Sequence, residues 1–268
     1  MPFTDAPGFR MYYEVHGDGF PLLLINGLGG DHTEWLIQLP EFSRLFKVVT
    51  FDNRGAGDSE APPGPYSTAQ MADDAAALLS FLGISRTHVL GFSMGGMIAQ
   101  EVALRHPEIV ARLILACTSP GGKGSERPAF EAIGSFACSP EDDPEEQFRR
   151  LIPFLYTDRF CRDYPEEIDK AVRRRLSRPV SLPGQASQMA AAMGHGAWER
   201  LPAIAAPTLV LTGTADRLVP QVNSQRIAER IPGAKLVFLD GAPHRLFAED
   251  AEAFHREVLA FLLDDSNR

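Results

Sequence analysis

Ser93 stands in Gly91-Phe92-Ser93-Met94-Gly95, after the apolar stretch Thr87-His88-Val89-Leu90 and before a helix-periodic run from Gly96 to Leu104 that stops at Pro107. A serine between glycines at a strand-to-helix turn is held with its hydroxyl clear of the backbone and the positive end of the helix aimed at it. Serine is a weak nucleophile at neutral pH. It needs a histidine base, and the histidine needs a carboxylate to hold its tautomer. Where such a turn carries the nucleophile, acid and base follow in that chain order, each on a loop after a strand. Residues 207–213 form an apolar run of strand length followed by Thr214-Ala215-Asp216, and residues 235–240 lead into Gly241-Ala242-Pro243-His244. Asp216 and His244 therefore occupy the loops where an acid and a base are required. The strand at 112–118 leads into Ser119-Pro120-Gly121-Gly122, which holds no carboxylate to rival Asp216. Taken singly, Asp216 also suits a turn and His244 a solvated loop. His16, His88, His106 and His255 read as structural, while His195, between two glycines, is a candidate pocket residue.

Acyl transfer builds negative charge on the carbonyl oxygen, and backbone N–H groups fixed in advance stabilise it. The apolar stretch 21–25 runs into Asn26-Gly27-Leu28-Gly29-Gly30. One donor is expected from Leu28 and one from Met94, the residue after the nucleophile. A dinucleotide-binding reading of this loop fails because His32 stands where the third glycine belongs, and Gly55-Ala56-Gly57-Asp58-Ser59-Glu60 fails the same test. No HExxH, no Cys/His ligand spacing and no phosphate-binding loop is present, so no metal and no cofactor is expected.

These motifs together resemble the α/β-hydrolases along nearly the whole chain. Phe51-Asp52-Asn53-Arg54-Gly55-Ala56-Gly57-Asp58-Ser59 is similar to that family's D-x-R-G-x-G-x-S segment. Gly91-Phe92-Ser93-Met94-Gly95-Gly96 resembles the G-x-S-M-G-G turn of 3-oxoadipate enol-lactonases and related small esterases. Asn26 stands where the wider family commonly has a histidine before the oxyanion glycine, and enol-lactonases also lack that histidine. A serine at the turn separates the chain from haloalkane dehalogenases, which use aspartate there. The resemblance implies a mostly parallel, doubly wound α/β sheet of about eight strands with a helical insertion.

The elements that must position these residues alternate. Strands are expected at 9–16, 21–26, 47–51, 87–90, 112–118, 207–213 and 235–240. Helices are expected within 35–46, at 68–82 with Thr68 as N-cap, at 96–104, and at the end around Phe254, Val258, Phe261 and Leu262. Such alternation means a parallel sheet covered on both faces, with ligands at the carboxyl ends of its strands. Residues 121–202 break the rhythm. They are helical and charged, and read as a cap inserted into a core made of 1–120 and 203–268. Phe130, Ile133, Phe136, Phe148, Ile152, Phe154, Met189, Met193 and Trp198 are apolar residues of this cap, most of which pack its helices together. The expected substrate contacts are Gly27, Phe92, Phe136, Met193, His195 and Trp198. An anionic substrate would want an arginine, for which Arg54, Arg127 and Arg159 are candidates. Glu141-Asp142-Asp143 and Arg173-Arg174-Arg175 read as solvated surface.

With 268 residues, 44% of them hydrophobic, the chain can bury a large core. A formal charge of −9 argues against nucleic acid or an anionic membrane as partner. Three scattered cysteines, Cys117, Cys138 and Cys161, make no disulfide framework, and Met1-Pro2-Phe3-Thr4-Asp5 has no leader-like character. A cytoplasmic location is expected, and a homodimer stays open. The expected activity is hydrolysis of a small to medium-sized apolar or aromatic ester or lactone through an acyl-enzyme. Two alternatives stay open: a carbon–carbon hydrolase or lyase using the same triad, and a receptor-like protein with slow single-turnover hydrolysis.

Overall fold

The computed structural model describes residues 2–136, 141–178 and 181–264; Cys138 lies outside them. Eight strands form one sheet: β1 (Phe3–Thr4), β2 (Met11–His16), β3 (Phe20–Ile25), β4 (Phe46–Phe51), β5 (Thr87–Phe92), β6 (Val110–Ala116), β7 (Thr208–Gly213) and β8 (Lys235–Leu239). Their order is β1-β2-β4-β3-β5-β6-β7-β8. The pairs from β4 through β8 are parallel, whereas β1 and β2 run antiparallel at one edge. Every residue of β5 and β7 is buried, which is why these central strands read as mostly apolar runs, with Thr87, His88, Thr208 and Thr212 among them, rather than as an in-out alternation.

Among the described residues, eleven α-helices accompany the sheet: α1 (Leu39–Phe42), α2 (Thr68–Phe81), α3 (Met94–Arg105), α4 (Phe130–Gly134), α5 (Pro144–Leu155), α6 (Asp158–Asp163), α7 (Pro165–Ser177), α8 (Leu182–Met193), α9 (Val222–Arg230), α10 (Leu246–Glu249) and α11 (Ala251–Leu262). Successive residues of β3 serve opposite faces. Leu23 and Ile25 pack with Met71, Ala75 and Leu78 of α2 and Ile98 and Val102 of α3. Leu22 and Leu24 join Trp35, Phe42, Phe247, Phe254 and Val258 on the other side. Two local expectations shift. Ser67, not Thr68, caps α2, its hydroxyl accepting from the Gln70 N–H at 3.1 Å. The segment 35–46 holds a single α-turn after a 3₁₀ turn at His32–Trp35 rather than a longer helix.

The turn between β5 and α3 leaves no room for a side chain at either flanking glycine. A Cβ on Gly91 would stand 2.2 Å from the Gly95 carbonyl oxygen, and one on Gly95 would stand 2.1 Å from that of Ile25. Gly95→Ala therefore has to push α3 away from β3. The expected cost is about 3 kcal/mol of stability, read as a lower urea midpoint, together with lost activity. A midpoint within error of the parent would mean that α3 is free to shift.

Between β6 and β7 the described residues form helices joined by loops, with no strand and one isolated bridge, Gly121 with Gly196. That bridge closes the neck of the segment, with Gly122 N–H bonded to His195 O and Ala197 N–H to Pro120 O. Ala132, Phe148, Ile152, Leu155, Ile168 and Val172 give the helices a small core of their own, joined by Leu218 and Val219. The segment rests on the loops after β3 and β4. Gln188 bridges them, accepting from Gly29 N–H and donating to Arg54 O, each at 2.8 Å.

Candidate active site

Because β3 to β8 are parallel, their carboxyl ends share one edge of the sheet, and Asn26–Gly30, Ser93, Asp216 and His244 all follow that edge. Ser93 sits at φ 56°, ψ −121°, a left-handed conformation that a side chain rarely adopts. Its backbone is locked there. The Ser93 N–H donates to Ala116 O at 2.9 Å, and the Thr118 hydroxyl donates to Ser93 O at 2.7 Å. The result is a hydroxyl 3.1 Å from His244 Nε2. On the far side of the ring, Nδ1 lies 2.8 Å from Asp216 Oδ2. Asp216 Oδ1 accepts from the N–H groups of Leu218 and Val219, both at 2.8 Å. The carboxylate is thus oriented by the turn that follows it, and accepts the Nδ1 proton. Nε2 is left with a lone pair facing Ser93.

The two hydrogen-bonded side chains are shut off from solvent, His244 at 2% and Asp216 at 0% side-chain exposure, so water does not compete for their hydrogen bonds. Phe92 packs on the imidazole with ring centroids 4.8 Å apart. Cys117, at the end of β6 and also at positive φ, is wholly buried beside this pair. Burial first, and the Asp216 charge second, push its thiol well above the usual range and keep it neutral.

The backbone N–H groups of Leu28 and Met94 have no protein acceptor among the described residues. Gly27 lies close against Ser93, where an added Cβ would come within 3.1 Å of the serine Cβ. Gly29 takes a left-handed φ of 66°, which folds the loop back so that Gly30 N–H bonds to Gly27 O. Gln188 on α8 and Arg175 on α7 hold Gly29 from above, through its N–H and its carbonyl respectively. Neither contact was visible in the local sequence, since 146 and 159 residues separate the partners.

A cavity of about 80 Å³ opens in front of Ser93. At roughly 10–15 Å³ per water, it holds several waters or a short acyl group. Gly27, Leu28, Phe92, Phe136 and His244 line it, as do Phe148, Leu151, Leu155, Leu218, Glu34, Arg175 and Arg245. Met193, His195 and Trp198 do not. Met193 ends α8 pointing outward at 77% exposure. Trp198 packs over Gly124 with the Arg230 guanidinium 4.3 Å from its ring centroid. The three candidate arginines are elsewhere too. Arg54 makes a buried two-point pair with Asp74, Arg159 pairs with Asp163 on the surface, and Arg127 is exposed. The run Arg173-Arg174-Arg175 divides. Arg173 is solvated as expected, Arg174 donates to Thr33 O, and Arg175 turns into the cavity. No periodicity in the sequence distinguishes these three, because the loop they meet belongs to another part of the chain.

His195 instead packs behind the site, where the Thr68 hydroxyl lies 3.0 Å from Nδ1 and Gln100 Oε1 lies 3.4 Å from Nε2. A neutral ring satisfies both. Burial pulls its pKa down to about 4, against the lesser pull of Glu101. The unfolded chain takes up this proton near pH 6.5, so keeping His195 neutral contributes fully above that pH. The contribution is lost as pH falls toward 4, at up to about 1.4 kcal/mol per pH unit. Urea midpoints between pH 7.5 and 4.5 should fall less steeply for His195→Gln than for the parent. Parallel curves would sink this account.

Two groups of metal-ligating side chains occur among the described residues: Cys117 with Asp216 and His244, and Asp31 with His32 and Asp52. The first is the serine's own relay and a neutral thiol. In the second, Asp52 is already taken up by the His32 ring and backbone N–H groups of His32 and Asp58, while Arg178 pairs with Asp31. This second group reads as a brace between α7 and the core, not as an open metal site.

A family model described as alpha/beta hydrolase fold matches residues 21–251, and the chain belongs to that family. It is a hydrolase of this fold. Among its relatives, the protein named "Putative carbamate hydrolase RutD" from Azorhizobium caulinodans is 30% identical over 97% of this chain and 98% of its own. The protein of the same name from Variovorax paradoxus is 33% identical over 94% and 96%. The enol-lactonase from Burkholderia xenovorans LB400 superposes with a TM-score of 0.87 at 28% identity, covering 98% of this chain and 100% of that one.

Proposed function

We propose that the chain hydrolyses a small carboxylic ester or lactone through an acyl-enzyme on Ser93. His244 takes the serine proton as Oγ attacks the carbonyl carbon, and Asp216 stabilises the imidazolium that forms. The N–H groups of Leu28 and Met94 receive the developing oxyanion. His244 then protonates the leaving alkoxide, and the same nitrogen activates the water that releases the acid. The helical segment 121–202 acts as a cap that keeps bulk water from the acyl-enzyme. The single observation behind this reading is the unbroken relay from Asp216 through His244 to Ser93, beside two unengaged N–H groups. The likeness to an enol-lactonase supports an ester or lactone carbonyl. The relatives named for carbamate hydrolysis make a carbamate a substrate to assay in parallel, since its carbonyl passes through the same kind of oxyanion.

Stopped-flow hydrolysis of p-nitrophenyl acetate tests the reading. One equivalent of p-nitrophenol should appear per protein, followed by steady turnover, with the Ser93 peptide carrying an acetyl mass in quenched samples. A burst without turnover would instead fit the receptor-like alternative. Folded protein giving neither burst nor turnover would remove the acyl-enzyme reading.

A further inference from the structure

Gly27, Leu28, Gly29 and Gly30 form a turn closed by the Gly30 N–H, which donates to Gly27 O at 3.1 Å. Gly29, third in the turn, has φ 66°, while Leu28, second, is not among the residues at positive φ. That combination is a type II turn. A type I turn closes with the same hydrogen bond and differs in having its middle peptide, between Leu28 and Gly29, turned over. A glycine in third place accepts either form, so these four residues alone leave both open. The choice falls to α8. Gln188 Oε1 accepts the Gly29 N–H, the donor of that middle peptide, at 2.8 Å. The Arg175 bond goes to Gly29 O, on the next peptide, and leaves the middle one able to rotate.

Gln188 is itself fixed. Its side chain is wholly buried, and its Nε2 donates to Arg54 O in the loop after β4 at 2.8 Å. One helical turn earlier, Gly184 lies directly on Gly55, where an added Cβ would stand 2.4 Å from the Gly55 carbonyl oxygen. Beside Gln188, Ser187 packs on Gly64, whose Cβ would come within 2.2 Å of the Ser187 Oγ. The helix is thus seated on the loop after β4 at two glycines, and Gln188 reaches from that seat to the loop after β3. Both ends of its amide are engaged, as burial requires. We propose that Gln188 is a positioning residue for the oxyanion hole, holding the turn in the form that presents the Leu28 N–H to the substrate. Leu28 is the link, since its N–H belongs to the first peptide of the turn and its C=O to the middle one. A middle peptide able to turn over lets that N–H drift and varies the dipole beside the developing charge. This rests on the reading of Ser93 as nucleophile and Leu28 as donor. It makes the seating of α8 a condition for catalysis, although α8 supplies no group to the reaction.

The test compares Gln188→Met with wild type, because methionine keeps the length and bulk of the side chain and removes both hydrogen bonds. On p-nitrophenyl acetate the burst rate and the steady-state kcat should both fall about 10–100-fold, with KM little changed. The ketone 1,1,1-trifluoro-2-butanone, followed by fluorine NMR, reads the hole without turnover. Ser93 Oγ adds to its carbonyl carbon, the serine proton passes to His244, and the hemiketal oxyanion occupies the same hole. Its affinity should fall by a similar factor. A folded variant with kcat and hemiketal affinity unchanged overturns the proposal, whatever its urea midpoint, and so does a change confined to KM. Amide hydrogen exchange on glycine-labelled protein supplies a measurement on wild type itself. The Gly29 N–H should exchange at least about 100-fold more slowly than that of the exposed Gly233. In Gln188→Met it should lose that protection while Gly91, inside β5, keeps its own. A wild-type Gly29 as labile as Gly233 overturns the proposal even if the variant fails to fold. Should wild type give neither turnover nor hemiketal, the nucleophile reading falls, and Gly29 exchange alone decides whether Gln188 holds the turn. Protection lost in the variant upholds that role, and protection retained ends it.

Discussion

Ser93→Ala should lose essentially all ester hydrolysis, a drop of at least about 10³-fold and up to about 10⁶ in kcat, while unfolding at the same urea midpoint. The hydroxyl makes no bond that holds the fold; its partner is His244 Nε2, and the backbone bonds to Ala116 and from Thr118 do not involve the side chain. What remains would come from the oxyanion donors and from binding. Alanine keeps the left-handed strain at this position, with φ at 56°. Glycine would relieve it, so Ser93→Gly should be inactive yet more stable by about 1 kcal/mol. Inactivity coupled to a gain in stability is the mark of a residue kept for chemistry at the expense of the fold. Turnover retained in Ser93→Ala would move the nucleophile elsewhere.

Asp216→Asn should cost about 10⁴ in kcat with little change in stability. The substitution keeps the size of the side chain and an oxygen to accept from the Leu218 and Val219 N–H groups. Its amide then points an N–H toward His244 Nδ1, where the carboxylate oxygen stood 2.8 Å away. The imidazole answers by moving its own proton to Nε2, and Ser93 then meets a donor in place of a base. The imidazolium formed during attack also loses its counter-charge in a place with no water to replace it. The comparison to make is kcat/KM beside melting curves. A loss under about tenfold would assign Asp216 to its turn and nothing more.

The strands and the turn glycines were legible because local physics decides them. β5 and β7 are buried on both faces, and a strand so placed is predominantly apolar instead of alternating. Gly91 and Gly95 stand where no Cβ fits. The placement of Ser93, Asp216 and His244 along one edge could be read for the same reason, since each follows a strand of one parallel sheet. Element ends were less legible. Ser67 or Thr68 could equally cap α2, and the choice fell to Ser67 because Thr68 is buried against His195. The helix expected within 35–46 shortened to one turn, where Trp35 and Phe42 each pack into the core beneath the sheet.

By itself, then, the sequence determined the sheet, the turn that raises Ser93 and the loops that carry Asp216 and His244, because each follows from spacing along a single element. The tertiary structure alone decided what surrounds them. Whether an arginine faces water or a cavity depends on the helix meeting a loop far away in the chain, as Arg175 meets Gly29. Arg173, two residues earlier, shares its type and its helix and stays in solvent. His195 and Trp198 look like pocket residues by type, yet the closed neck at Gly121 and Gly196 turns them toward the core and away from Ser93. Side-chain type is local, but the charge and shape of a cavity are sums over distant segments, and those sums exist only once the helices between β6 and β7 have packed onto the loops after β3 and β4.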